Sequence, residues 1–339
     1  MNPPGMIDLH CDTLTNFLRL CVSGDAFKAA LQSKATRADM LARIAQYDTL
    51  DDSQNMLSLS KIPRTVHWAE CCAIFIPDEF RGPAAVEYFE VNRRNYDRQM
   101  NLFSDAVIPC HSGADIDAAF ASGKFAFLLT VEGGAVLDGK LSNVAWLANA
   151  GVRMLTLVWN GVNELGSGHS NPEMGLTAFG KAAIPVLERN GILIDTSHLN
   201  DAGFDDLCAI ASRPFVASHS NARGVAAHKR NLPDGHITEF VRRRGLIGLN
   251  FHTLFLCDDG LVSNLDVLYR HIIYFLERGA EDCLALGSDY DGATLPVCLN
   301  SVEKALSLYD YLLSRGLSQR TVDGILFQNA LRFFKENLQ

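Results

Sequence analysis

Eight short apolar runs recur along the chain, and between them the sequence changes to helical periodicity. The runs cover residues 6–12, 69–77, 125–134, 152–161, 191–198, 214–220, 245–252 and 283–292. Most are continuous rather than alternating, as expected of parallel strands buried on both faces. Helix-type spacing follows at 83–103, 141–151, 175–191, 202–212, 264–280, 301–316 and 318–338, with Asn264 as a capping residue. Eight strands alternating with helices predict an α/β fold of the (β/α)₈ TIM-barrel type. A doubly wound sheet would want a glycine-rich turn after its first strand, and "LHCDTLTNF" has none. No linker or repeat interrupts the pattern, so residues 1–339 read as one catalytic domain. The longest irregular stretch, about 19–65, reads as an insertion on the catalytic rim, with 26–47 helical.

Composition narrows the function. Charged residues are 20% of the 339 and the formal net charge is -9, with no long basic run. That excludes a nucleic-acid footprint. Arg242-Arg243-Arg244 closes a helix-like stretch, where cations complement the helix dipole. No stretch of eighteen apolar residues predicts a membrane span. "MNPPGMIDLH" has neither a basic nor an apolar leader region, and this predicts a cytoplasmic protein. The nine cysteines include no C-x-x-C, and Cys71-Cys72 sit inside a strand-like run. Both features suit a reducing compartment.

In such a barrel the active site lies at the carboxyl ends of the strands. Those ends carry His10 and Asp12, Glu132, Trp159-Asn160, His198, His219, Asn250 with His252, and Asp289 with Asp291. Residues i and i+2 of a strand share a face, so His10 and Asp12 aim together into the mouth while Cys11 turns away. Imidazole and carboxylate are zinc ligands. Five of them, His10, Asp12, Glu132, His198 and His219, exceed what one open tetrahedral site needs. They suit two metals about 3.5–4 Å apart with a bridging carboxylate. Glu132 has no histidine beside it and reads as the bridge. His67, His111, His228, His236 and His271 read as ordinary hydrogen-bonded histidines.

"IDLHCDTL", "TVEGG", "LIDTSHLND", "FVASHSNARGVAAHKRNLPD" and "LGSDYDG" together resemble the membrane (renal) dipeptidase family of binuclear zinc peptidases. The resemblance spans nearly the whole chain. It implies a (β/α)₈ barrel holding two Zn²⁺ per chain. His10, Asp12 and Glu132 would hold one, and Glu132, His198 and His219 the other. It implies that Arg230 takes the substrate carboxylate and that Asp289 is the catalytic acid near the metal-activated water. Asp291 gains no role from it and reads as ordering the turn before Gly292. The sequence departs from the family at "TLVWNG", where Trp159 replaces a histidine that steadies the substrate carbonyl. Indole has one N–H and no charge. Asn160 and His169 are the candidate donors in its place, and His252 stands where tyrosine is common. The expected activity is hydrolysis of dipeptides, tolerant of a D-residue at the second position, by a homodimer. The alternatives are an amidohydrolase acting on N-acyl amino acids or lactams, and a non-catalytic metal-binding barrel.

Overall fold

A computed structural model describes residues 3–15 and 49–339. The helix expected over 26–47, and with it most of the rim insertion, lies outside them. Nine parallel strands form one sheet: β1 (Gly5–Cys11), β2 (His67–Phe75), β3 (Val107–Pro109), β4 (Phe125–Glu132), β5 (Val152–Thr156), β6 (Leu193–Asp195), β7 (Val216–Ala217), β8 (Leu246–Leu249) and β9 (Leu284–Leu286). Pairing runs β2-β1-β9-β8-β7-β6-β5-β4 and closes through β2–β4, giving an eight-stranded barrel. The ninth strand, β3, was not among the expected runs. It pairs only with Phe125–Phe127 of β4, below the residues that pair with β5. Three residues are too few to leave a pattern in the sequence.

Two apolar layers fix the register. Ile7, Leu9, Ala69, Cys71, Leu128, Met154 and Val216 fill the barrel and continue into Phe333 and Phe334 of the last helix. Cys11, Cys72, Leu129, Leu155, Ala217 and Leu249 face the helical shell. In β1 the strict alternation breaks. Asp8 pairs with Glu70 and Cys11 with Cys72, so three steps on β1 oppose two on β2. This bulge keeps Leu9 in the barrel interior yet turns His10 toward the mouth and Cys11 outward. Bulges re-aim side chains in this way beside active sites. Cys11 and Cys72 meet at 3.8 Å between their sulfurs, and every described cysteine is a free thiol.

Most expected helices are present: Pro83–Leu102, Ser142–Asn149, Ala178–Arg189, Asp201–Ile210 and Asp266–Leu276. Asn264 accepts the Asp266 N–H at 2.9 Å, but the cap position itself is Leu265, one residue later than expected. The stretch 301–316 is two helices, Val302–Leu306 and Leu308–Ser314, because the Ser307 hydroxyl turns back onto the Lys304 carbonyl. The stretch 318–338 is interrupted by a π turn at Gly324–Gln328, after which Asn329 donates to the carbonyls of Glu281 and Leu284. Helix Gly113–Ala121, absent from the expected set, opens on a reciprocal Ser112–Asp115 capping box. Arg243 binds the carbonyls of Cys208 and Ala211 at its helix end, a structural role. No described helix is long and apolar enough to cross a membrane.

The Asp291 carboxylate accepts the Thr13 hydroxyl at 2.7 Å and the Met56 N–H at 2.8 Å, tying the later part of the rim segment to the residues that follow β1. Below the mouth, β7, β8 and β9 approach so closely that a Cβ on Gly287 would lie 1.8 Å from the Ser218 carbonyl oxygen. Gly287→Ala must therefore push β7 away. It is expected to cost about 1–3 kcal/mol, read as a lower midpoint in denaturant titration; an unchanged midpoint would show that the strands give freely.

Candidate metal centre

Five strand ends deliver the site. His10 arrives through the β1 bulge and Glu132 is the last residue of β4. His198 and Asp289 follow β6 and β9 on backbone in the left-handed region, with φ 69° and 64°. Such conformations are uncommon outside glycine, and they recur where function fixes a side chain. His219 follows β7. All five side chains are buried.

Their reactive atoms converge. Glu132 Oε1 lies 2.8 Å from His198 Nε2 and 3.4 Å from His219 Nε2, while Oε2 lies 3.8 Å from His10 Nε2. His10 Nε2 is 3.4 Å from Asp12 Oδ2 and 4.0 Å from Asp289 Oδ1. The donor atoms of His10, Glu132 and His219 all lie within 4.8 Å of one another, as do those of His10, Asp12 and Asp289. His10 is common to both groups, while Glu132 belongs to the first and Asp289 to the second. Gly292 leaves this space open, since a Cβ there would lie 2.0 Å from Asp12 Oδ2.

The arrangement fits a cation. His10 Nε2 and Asp12 Oδ1 are buried without a hydrogen-bond partner. His198 Nε2 and His219 Nε2 face each other at 3.1 Å. Burial pushes the Glu132 carboxyl well above its usual range and raises that of Asp12. Burial likewise holds His198 and His219 well below theirs, in the neutral form that ligates metal. His10 is the exception. Burial opposes its charge, but Glu132, Asp12 and Asp289 outweigh that and hold it up at about 10. Three acids around one buried imidazole draw positive charge to it. Nitrogen and oxygen donors in this number suit Zn²⁺.

Above the cluster opens a cavity of about 370 Å³, lined by Phe75, Trp159, Asn160, His169, His228, Arg230, His252 and Phe255 among others. A wider hollow of about 550 Å³ around Glu188, Arg213 and Asn337 lies away from every residue of the cluster. Arg230 is 5% exposed, and its Nε and Nη2 have no partner. Those two atoms form the side-on fork that a guanidinium offers to a carboxylate. Its cation lies 5.2 Å above the Phe255 ring, and burial lowers its pKa to about 10. Trp159 meets Phe75 edge-on at 4.8 Å and forms an aromatic wall.

Asn160 lines the cavity, but its Oδ1 lies 3.0 Å from His198 Nδ1 and so is engaged with that ring. His169 stacks at 6.4 Å from the His198 ring, with Nδ1 buried and unpartnered. Burial, then Arg230, Lys229 and His228, press its pKa down to about 3. His252 accepts the Leu254 N–H with Nδ1 and rests on Phe255. Of the histidines set aside from the sequence, His67 stacks on Phe120, His236 stacks on Phe204, and His271 joins Ala222 N–H to the Leu256 carbonyl. His228 accepts the Arg230 N–H at 3.2 Å and also lines the cavity against Phe255.

Two residues at the site escaped the sequence analysis, and a third, Asn250, was read there only as a strand end. Asp195 collects four donors beneath His219. Ser218 connects the two. Asn250 donates to Asp289 Oδ2 at 3.1 Å. The signal for Asp195 was present, since an acid amid the apolar run "GILIDTSH" must be satisfied from inside.

Comparison with known proteins agrees with this geometry. The profile of the membrane dipeptidase family, peptidase family M19, matches residues 3–339. A Klebsiella pneumoniae protein described as an uncharacterized protein in the pqqA 5′ region is 35% identical over 236 residues, 67% of this chain and 87% of its own. Dipeptidase tcpJ of Claviceps purpurea is 30% identical over 244 residues, covering 70% of this chain and 57% of the fungal protein. A solved structure of the M19 metallo peptidase dipeptidase AC superposes with TM-score 0.84 at 25% identity, covering 98% of both chains. A Rhodobacter sphaeroides metallo peptidase liganded with a phosphinate mimic of the dipeptide L-Ala-D-Ala gives TM-score 0.84 at 24% identity over 100% of both. The chain belongs to the membrane dipeptidase family, peptidase family M19, as a metallo-dipeptidase-family hydrolase on a (β/α)₈ barrel.

Proposed function

We propose that the protein hydrolyses the peptide bond of dipeptides with two zinc ions per chain. Arg230 carries the reading: a buried guanidinium with its side-on fork unpartnered, on the wall of a cavity whose floor is the ligand cluster. A free carboxylate is the group that such a fork binds. The cavity volume suits a small ligand rather than a long chain. His10, Asp12 and Glu132 would hold one zinc, and Glu132, His198 and His219 the other. Zinc at such a site polarises a carbonyl and lowers the pKa of water toward neutrality.

The remaining chemistry belongs to the chain. Arg230 fixes the C-terminal carboxylate and so sets how far the scissile bond lies from the cluster. Asp289, steadied by Asn250, takes a proton from the attacking water and returns it to the departing amine. Trp159 and Phe75 exclude solvent from one side. His169, neutral by burial, offers an N–H to the substrate carbonyl that Trp159 cannot serve. The family's homodimer belongs to the same proposal and is read by light scattering.

N-acyl amino acids share the free carboxylate, so they form the second reading. A panel of dipeptides, with L- and D-residues at the second position, against N-acyl amino acids separates them. The phosphinate mimic held by the Rhodobacter sphaeroides enzyme is the reason that D-residues belong in the panel. Dipeptides are expected to turn over fastest; a consistent preference for the acyl series would replace the assignment.

A further inference from the structure

We propose that Asp195 is a positioning residue that sets the ring tautomer of His219 through the Ser218 hydroxyl, so that His219 presents a bare Nε2 to the metal. This rests on reading His219 as a ligand. Asp195 is fully buried at the end of β6. Its Oδ1 accepts the N–H groups of Ser197 at 3.0 Å and Ser218 at 2.8 Å. Its Oδ2 accepts the hydroxyls of Thr156 at 2.5 Å and Ser218 at 2.7 Å. The same Ser218 oxygen lies 2.7 Å from His219 Nδ1.

A hydroxyl has one proton to give. Two acceptors compete for it, the Asp195 carboxylate at 2.7 Å and the Ser197 oxygen at 3.3 Å, and the charged and nearer one wins. Ser218 must then accept from His219, which puts the ring proton on Nδ1. The Nε2 lone pair is left facing Glu132 Oε1 at 3.4 Å. In the opposite chain the hydroxyl would donate to Nδ1, and Nε2 would carry the proton and be closed to metal. Histidine ligands are commonly oriented by a carboxylate that receives their second N–H. Here a serine lies between, and this makes the direction of the chain reversible by one atom.

Asp195→Asn reverses it. The two backbone N–H groups keep the amide oxygen, so the NH₂ faces the hydroxyls of Thr156 and Ser218. Ser218 becomes an acceptor there and passes its own proton to Nδ1. A comparable Asp→Asn change in a serine protease triad fails through the wrong tautomer with the geometry intact.

The test begins with metal-free protein carrying ¹⁵N-histidine. The His219 proton is expected on Nδ1, and a proton on Nε2 in the unmodified chain overturns the proposal. Zinc affinity is then measured by competition with a chromophoric chelator. Asp195→Asn is expected to weaken zinc about 10–100-fold and to move the ring proton to Nε2. Ser218→Ala, which removes the relay without reversing it, is expected to lose less. Combining the two should restore affinity toward that of Ser218→Ala, since no hydroxyl remains to pass a proton. If Asp195 were only a structural brace, the double variant would bind no better than Asp195→Asn, and that result also overturns the proposal. Should Asp195→Asn not fold, the tautomer of the unmodified chain still decides. Failure of the metal reading shows separately, as an unmodified chain that binds no zinc.

Discussion

Glu132→Gln is expected to leave a folded protein whose turnover has fallen by at least about a thousandfold, roughly 4 kcal/mol of transition-state stabilisation. Among the described residues, Glu132 is the carboxylate that reaches His198, His219 and His10 together, at 2.8, 3.4 and 3.8 Å. The amide keeps its shape but replaces one acceptor with an NH₂ that repels a cation. Stability separates this from unfolding. Without metal, burial is what most disfavours the Glu132 charge, and an amide removes that cost. Metal-free Glu132→Gln should thus be at least as stable as the metal-free parent. Added zinc should stabilise only the parent, by about 2.7 kcal/mol at a hundred times the dissociation constant. Turnover within tenfold of the parent would remove Glu132 from the centre.

Arg230→Met is expected to lower kcat/KM for dipeptides by about 10²–10³-fold, from the loss of two charge-assisted hydrogen bonds. The carboxylate is bound equally before and during the reaction, so the change should appear in KM more than in kcat. A dipeptide amide supplies the control. The parent should handle it poorly, and Arg230→Met should be indifferent to the exchange. The variant is also expected to be more stable than the parent, because it removes a buried charge whose Nε and Nη2 have no partner. Lost activity with a raised unfolding midpoint marks a binding group held at a cost to the fold. A variant that discriminates against the amide as the parent does would place the carboxylate elsewhere.

The barrel was legible because its signal is repetitive. Eight apolar runs alternating with helices leave few arrangements, and the strand ends name the side chains at the mouth. Three kinds of feature were not legible. The β1 bulge is one: alternation from Leu9 alone would aim Cys11 inward, and only pairing with β2 shows the extra residue that turns His10 to the mouth. Short or local structure is another, as in β3, the break at Ser307 and the π turn before Asn329. The third is what surrounds the ligands. Ser218 is indistinguishable in sequence from a loop residue until the fold brings it to His219, and the strand-end position of Asn250 did not reveal its bond to Asp289. His228, read from the sequence as an ordinary hydrogen-bonded histidine, accepts the Arg230 N–H, and only the fold shows that it also lines the cavity.

The converging histidines and carboxylates are proposed as a two-zinc centre for dipeptide hydrolysis. Titrating zinc into chelator-stripped protein, while following hydrolysis of one dipeptide, tests it most directly. No turnover is expected at the start, followed by a rise to a plateau at two zinc per chain. Full turnover by the stripped protein would contradict the proposal.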